Sequence, residues 1–207
     1  MEALNCETIK AGEADIMICR IPAENDPFYA EYLLPEYYTE ELNKISSDKR
    51  RREFITARLA MNLLTGAEVR IMYDEAGKPY LSNYDGHISI SHSRNYLAII
   101  YHPQKATGID IECPTEKVLK VSKRFLNETE QAYFEENILK IQIAWSVKEA
   151  MYKMLGESYV DFAASMLIHD FELSERGRIS CEDPRSGKVF ETEYMVRPEF
   201  NLAYSIM

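Results

Sequence analysis

Lys148-Glu-Ala-Met-Tyr-Lys-Met-Leu-Gly156 repeats the pattern of Arg58-Leu-Ala-Met-Asn-Leu-Leu-Thr-Gly66 at an offset of 90 residues. Alanine, methionine and the closing glycine coincide. The apolar faces coincide as well: Phe54, Ala57, Met61 and Leu64 stand against Ala144, Val147, Met151 and Met154, all at helical spacing. Both stretches read as helices stopped by glycine. Coincidence is the competing reading, because Ala, Met and Leu are common helix residues. Each stretch is followed by strand-like segments with Leu97-Ala98 and Leu202-Ala203 near their centres. The repeat predicts an α+β chain of two similar α/β halves related by pseudo-twofold symmetry, residues 1–103 and 104–207. A cleft between halves is where a ligand is expected.

Working outward, residues 15–21 and 68–73 read as strands, and residues 35–45 as a short helix with Pro35 in its first turn. Ser47 or Asp48 is placed to cap the first repeated helix. Strands follow over 87–91 and 96–101, then around Asp110 and Glu112. Residues 116–125, 128–137 and 141–155 read as helices. The tail reads as strands over 165–173, 188–196 and 201–206.

The chemistry gathers near the second helix. In Gly108-Ile-Asp-Ile-Glu112, Asp110 and Glu112 are two apart in a strand, so both carboxylates point to the same side while Ile109 and Ile111 point to the other. Acidic residues also decorate exposed strand faces. Two adjacent carboxylates nevertheless repel unless a cation sits between them. In Trp145-Ser-Val-Lys-Glu-Ala150, the residues Trp145, Glu149 and Lys153 recur at i, i+4, i+8. Glu149 and Lys153 taken alone form a favourable surface ion pair. Joined to Asp110 and Glu112, Glu149 completes an oxygen-donor set for a hard cation, and Lys153 offers a counter-charge for a phosphate. His92 lies between Ser91 and Ser93, hydroxyl donors suited to phosphate oxygens. Lys78-Pro79 lies in a turn.

The net charge is −10, which argues against nucleic acid and anionic membrane as partners. A local basic run, Lys49-Arg-Arg-Arg52 with Arg58 beyond it, remains available to an anion. Cys6, Cys19, Cys113 and Cys181 form no CxxC pair and no zinc spacing. With no signal-like or membrane-length apolar run, the expectation is a cytoplasmic chain with reduced thiols.

The ordered set Gly77-Lys-Pro79, Ile90-Ser-His-Ser93, Gly108-Ile-Asp-Ile-Glu112 and Trp145-Ser-Val-Lys-Glu-Ala150 with Lys153 resembles the 4'-phosphopantetheinyl transferases, in particular the surfactin-synthetase-activating, pseudo-dimeric type. The resemblance runs from about residue 51 to 153. It implies that the phosphopantetheine arm of coenzyme A, the co-substrate, moves to a serine of an apo acyl or peptidyl carrier protein, releasing 3',5'-ADP. It implies Mg²⁺ on Asp110, Glu112 and Glu149, with Glu149 or a metal-bound water taking the serine proton and Lys153 neutralising the phosphate. Residues 1–103 would form the coenzyme A side. There Ser91 and His92 would meet phosphate oxygens, Lys78 and Pro79 the adenine, and Arg51, Arg52 or Arg58 the 3'-phosphate. Glu130, in Phe125-Leu-Asn-Glu-Thr-Glu130, is a further acidic candidate, and Lys117, Lys120, Lys123 and Arg124 a candidate docking patch or simply a wet helix face. A monomer is expected. The rival readings are a non-catalytic coenzyme A or carrier-protein binding module of the same fold, and a metal-dependent phosphatase.

Overall fold

The computed structural model describes residues 4–24, 26, 35–156 and 161–207. Two antiparallel sheets carry the chain. The first has the order β1-β2-β6-β5, from β1 (Cys6–Ala11), β2 (Ala14–Arg20), β5 (His87–Ser93) and β6 (Tyr96–His102). The second has the order β7-β11-β10-β9-β8, from β7 (Thr107–Glu112), β8 (Leu167–Ile168), β9 (Arg176–Asp183), β10 (Lys188–Val196) and β11 (Asn201–Ile206). A small ribbon of β3 (Ile71–Tyr73) and β4 (Pro79–Leu81) stands beside the first. The first sheet thus falls within residues 1–103 and the second within 104–207.

Each sheet carries one long helix. After β2 comes a 3₁₀ turn, Glu36–Tyr38, that leads into α1 (Thr39–Lys44). The long helix α2 (Asp48–Thr65) follows, with Ser47 rather than Asp48 at its N-cap, accepting from the Arg50 amide. It ends at Gly66 in the left-handed region, a conformation that glycine adopts without a Cβ penalty. In the second half, α3 (Lys117–Val121), a 3₁₀ turn (Ser122–Arg124) and α4 (Glu128–Phe134) lead into α5 (Ile138–Leu155), which ends before Gly156. A short α6 (Phe162–Ser165) comes after. Helices α2 and α5 share the same 18-residue length, and their bounds differ by the 90 residues of the sequence repeat.

Three departures from the sequence reading have simple causes. Strand β1 is missing from it because Cys6-Glu-Thr-Ile-Lys-Ala11 alternates weakly and is half-exposed along one side of the sheet. Strand β9 is missing because Arg176-Gly-Arg opens it with polar and small residues. The strand expected over 165–173 shrinks to Leu167–Ile168, since Asp161 caps a helical turn just before it. The thiol expectation is corrected too: Cys6 and Cys19 are cross-strand neighbours in the β1–β2 register, their Cα atoms 4.1 Å apart, and they form a disulfide. Cys113 and Cys181 are free and buried.

A side-chain seam joins the sheets. Strands β5 and β7 run side by side in the same direction, yet no backbone ladder connects them among the described residues. Alternate serines of β5 do the joining. Ser89 Oγ accepts from the Ile109 amide at 3.1 Å, Ser91 Oγ donates to Asp110 Oδ1 at 2.8 Å, and Ser93 Oγ donates to Glu112 Oε2 at 2.8 Å while accepting from the Cys113 amide at 3.1 Å. Their i, i+2, i+4 spacing puts all three on one face. Beneath the seam, Ile16, Ile18 and Ile100 of the first sheet pack with Ile109, Ile111 and Leu202 of the second.

Helix α5 lies directly on β7. A Cβ built on Gly108 would stand 1.8 Å from the Ala150 carbonyl oxygen and 2.8 Å from the Met154 amide nitrogen. Those atoms are helix backbone and have nowhere to go. Gly108→Ala therefore forces α5 off the sheet, and the expected cost is about 1–3 kcal/mol or more, read as a lower urea midpoint. An unchanged midpoint would show that the helix has slack at this contact.

Candidate active site

The close approach at Gly108 brings residues of α5 over those of β7. Lys153 Nζ crosses to β7, donating to Asp110 Oδ1 at 2.9 Å and to the Ile109 carbonyl at 3.0 Å. The intrahelical Glu149–Lys153 pair is thus replaced by a bridge between elements. Asp110 is only 4 % exposed, so β7 is covered on both faces and its acids do not decorate an open edge. Asp110 Oδ1 accepts from both Ser91 and Lys153, while its buried Oδ2 has no hydrogen-bond partner among the described residues. Glu112 is held at both oxygens, by Ser93 and by the Trp145 indole at 3.2 Å. The indole is itself fixed against Phe125 and Phe162.

These carboxylates act on one another. Burial first, then the charges of Asp110 and Glu112, push Glu149 up to about 7, with Lys153 pulling the other way. Glu112 is raised by burial and by Asp110, against the hydrogen bonds from Ser93 and Trp145. Three mutually repelling acids and one orphaned buried oxygen are the donor set that a hard cation neutralises. Among the described residues no group of His, Cys, Asp or Glu is closed tightly enough to hold a metal as it stands. The protein donors explain this, since they occupy three of the four oxygens of Asp110 and Glu112.

The remaining candidates are distributed around this cluster. His92, half exposed, has its Nδ1 3.4 Å from Glu53 Oε1, and its pKa lies below the ordinary value through burial, with Lys49 and Lys153 nearby. Lys78 donates to the Met154 carbonyl at the end of α5 and, with Pro79, Asp74 and Thr107, lines a cavity of about 110 Å³. Arg51 is spent on the Leu42 and Ile45 carbonyls. Arg52 donates to the Pro22 carbonyl and lines a cavity of about 890 Å³ with Arg20 and Asn95. Arg58 is not brought to the site. It is 1 % exposed, its guanidinium lies 3.2 Å from the Phe54 ring centroid and 4.7 Å from that of Tyr38, and Glu41 stands 3.6 Å away. Its place on the inner side of α2, where Ala57 and Met61 are also buried, makes it part of the packing.

Glu130 is also withdrawn from the site. It is 1 % exposed and pairs at 2.8 Å with Lys148, which is fully buried. Lys148 also donates to the Phe125 and Phe162 carbonyls, and Glu130 accepts from the Asn127 and Ile168 amides. This network ties α4, α5 and β8 together behind Glu149, the residue next to Lys148 in the chain.

A family model described as the 4'-phosphopantetheinyl transferase superfamily matches residues 106–204, from the start of β7 through α5 to β11. Over that stretch, just under half of its length, the chain is similar to the 4'-phosphopantetheinyl transferase superfamily. It is 33 % identical over 91 residues to the 4'-phosphopantetheinyl transferase gsp of Aneurinibacillus migulanus, covering 41 % of this chain and 37 % of that one. It is 29 % identical over 149 residues to the 4'-phosphopantetheinyl transferase Sfp of Bacillus subtilis (strain 168), covering 68 % and 64 %. A further 4'-phosphopantetheinyl transferase of Bacillus subtilis is 27 % identical over 205 residues, covering 94 % and 86 %. The chain spans 37 % and 64 % of the lengths of the first two of these relatives.

The sequence reading missed two contacts, Trp145 on Glu112 and Glu53 on His92. The first was within reach, since Trp145 is in register with Glu149 on one helix face. The second depends on how α2 packs against β5, which no local pattern reports.

Two predictions follow from the site's charges. Lys148→Met leaves Glu130 as an unpaired buried charge and is expected to cost about 3–5 kcal/mol in urea unfolding; a loss below about 1 kcal/mol would mean the pair is solvated. Glu149 binds its proton more tightly folded than unfolded, so the stability it costs grows as pH rises from 4.5 to about 7 and is constant above. The stability gain of Glu149→Gln over the parent chain should therefore widen across that window in pH-dependent melting. A gap independent of pH would mean Glu149 titrates normally.

Proposed function

We propose that this chain transfers the 4'-phosphopantetheine arm of coenzyme A to a serine hydroxyl of an apo acyl or peptidyl carrier protein, releasing 3',5'-ADP. The observation that carries the reading is the meeting of Asp110, Glu112, Glu149 and Lys153 across the β7–α5 contact, inside the stretch that the superfamily model matches.

Asp110, Glu112 and Glu149 would hold Mg²⁺, with the orphaned Asp110 Oδ2 as its most available oxygen. When bound, the ion neutralises the pyrophosphate and draws off charge as the phosphoryl group transfers. The chain's own groups do the rest. Glu149, with a pKa of about 7, is matched to taking the serine proton near neutral pH. The serine oxygen forms a bond to phosphorus as the bond to the ADP oxygen breaks. Lys153, already beside Asp110, offsets the charge on the transferred and leaving phosphates. In this reading Ser91, whose hydroxyl proton goes to Asp110, holds that acid, while His92 would contact a phosphate oxygen and the cavity of Lys78 and Pro79 would take the adenine. Of the basic run, Arg52 fits the 3'-phosphate best: it lines an open cavity, whereas Arg51 is engaged with backbone carbonyls and Arg58 is buried.

In this reading the two sheets and their helices are the halves of a duplicated, monomeric transferase, the first carrying coenzyme A and the second the acids. Lys117, Lys120, Lys123 and Arg124, on α3 and the turn after it, offer an acidic carrier protein a basic docking face. Among the described residues no helix is long and apolar enough to cross a membrane. We place the reaction in the cytoplasm.

Intact mass spectrometry of an apo carrier protein incubated with the chain, coenzyme A and Mg²⁺ tests this. A mass gain of one phosphopantetheine arm is expected, prevented by EDTA and slowed at least about 100-fold by Asp110→Ala or Glu149→Ala. Mg²⁺ should also raise the melting temperature of the parent chain above pH 7 and leave that of Asp110→Ala unmoved. No gain with several carriers, alongside clear coenzyme A binding, would favour the binding module instead.

A further inference from the structure

Glu53 has no part in the reaction as described above, yet its surroundings are unusual. It sits on α2 with its side chain only 8 % exposed, and its Oε1 accepts no hydrogen bond from the described residues. A carboxylate is rarely buried without compensation, because desolvating it costs several kcal/mol. Two basic groups are near: Lys49 Nζ at 3.5 Å and His92 Nδ1 at 3.4 Å. Lys49 is 57 % exposed and one turn away on the same helix, an arrangement that contributes little. His92 comes from β5, a different element, and stands within range of the Lys153 charge on α5. The imidazole is therefore held between a buried acid on α2 and the cationic end of the acid cluster.

We infer that Glu53 is a positioning residue, fixing the His92 ring through Nδ1 so that Nε2 is presented to a phosphate oxygen of coenzyme A. The identity of the phosphate rests on the transfer reaction proposed above; the Glu53–His92 contact does not. A hydrogen bond at one imidazole nitrogen decides what the other can do. A carboxylate at Nδ1 favours the doubly protonated ring, which makes Nε2 a donor. The other influences oppose this: burial, Lys49 and Lys153 all pull the imidazole pKa down, and Glu53 is the side chain that pulls it up. At 3.4 Å the contact is longer than a formed hydrogen bond and would tighten as the ring settles on a phosphate. The Oε1 without a partner is the acceptor that such tightening would satisfy.

The test is a double-mutant cycle on the full chain with Glu53→Gln, His92→Ala and both together, using calorimetry of coenzyme A binding. Each single change should weaken binding about tenfold, the factor for one charge-assisted hydrogen bond. The double variant should be no weaker than His92→Ala, because Glu53 acts through the ring. Additive weakening would overturn the inference. Ring ¹⁵N spectra give a second readout that needs no ligand. The His92 signal, assigned by its loss in His92→Ala, should change its Nδ1 protonation in Glu53→Gln while His87, His102 and His169 stay in place. An unmoved His92 ring also overturns the inference. Glu53→Asp, which keeps the charge, should restore part of the binding, and it carries the cycle if Glu53→Gln does not fold. A parent chain that neither transfers the arm nor binds coenzyme A defeats the proposed function, and the ring spectra then still decide the role of Glu53.

Discussion

Everything at the candidate site depends on how closely α5 lies on β7. The absent side chain at Gly108 permits that approach, with the Ala150 carbonyl where a Cβ would otherwise be. Glu149 stands one residue before Ala150 and Lys153 one residue before Met154, the two α5 positions that crowd Gly108. Asp110 and Glu112 follow Gly108 along the strand. The glycine thus sets the distance between the two groups of charges, and through it the burial and then the repulsion that raise Glu149, and the bridge from Lys153 to Asp110. A wider spacing would leave ordinary surface acids.

The chain manages the resulting charge with neutral and cationic donors rather than by dispersing it. Serines from the first sheet and the one tryptophan from α5 orient Asp110 and Glu112, while burial and the neighbouring charges push Glu149 up to about 7. The seam between the sheets is also the wall of the site, because the hydroxyls that join β5 to β7 are the ones that hold two of the acids. The joining of the two sheets and the orientation of these carboxylates use the same hydrogen bonds.

The sequence revealed these features unevenly, for physical reasons. Helices α2 and α5 were legible because an amphipathic pattern with a closing glycine is a local signal, and the 90-residue repeat located both. Asp110, Glu112 and Glu149 were legible from spacing and from the resemblance of four ordered motifs. The burial of Arg58 against Phe54 and Tyr38 was not legible, because in sequence it looks like any other arginine beside a basic run. The burial of Glu130 was not legible either, because its partner, Lys148, is 18 residues away and the pairing depends on α4 folding onto α5. The Cys6–Cys19 pairing required β1, which the weak alternation of Cys6–Ala11 concealed.

The Lys148–Glu130 pair has a consequence for how this protein can diverge. Either charge lost alone leaves the other buried and uncompensated, so neither position can drift by single neutral steps. They must change together, or a third substitution must come first. Because Lys148 adjoins Glu149 in the chain, this restraint fixes the helical phase in which the acid is offered to β7. The buried pair thus works as a ratchet on sequence change, keeping the register of α5 while exposed surfaces remain free to vary.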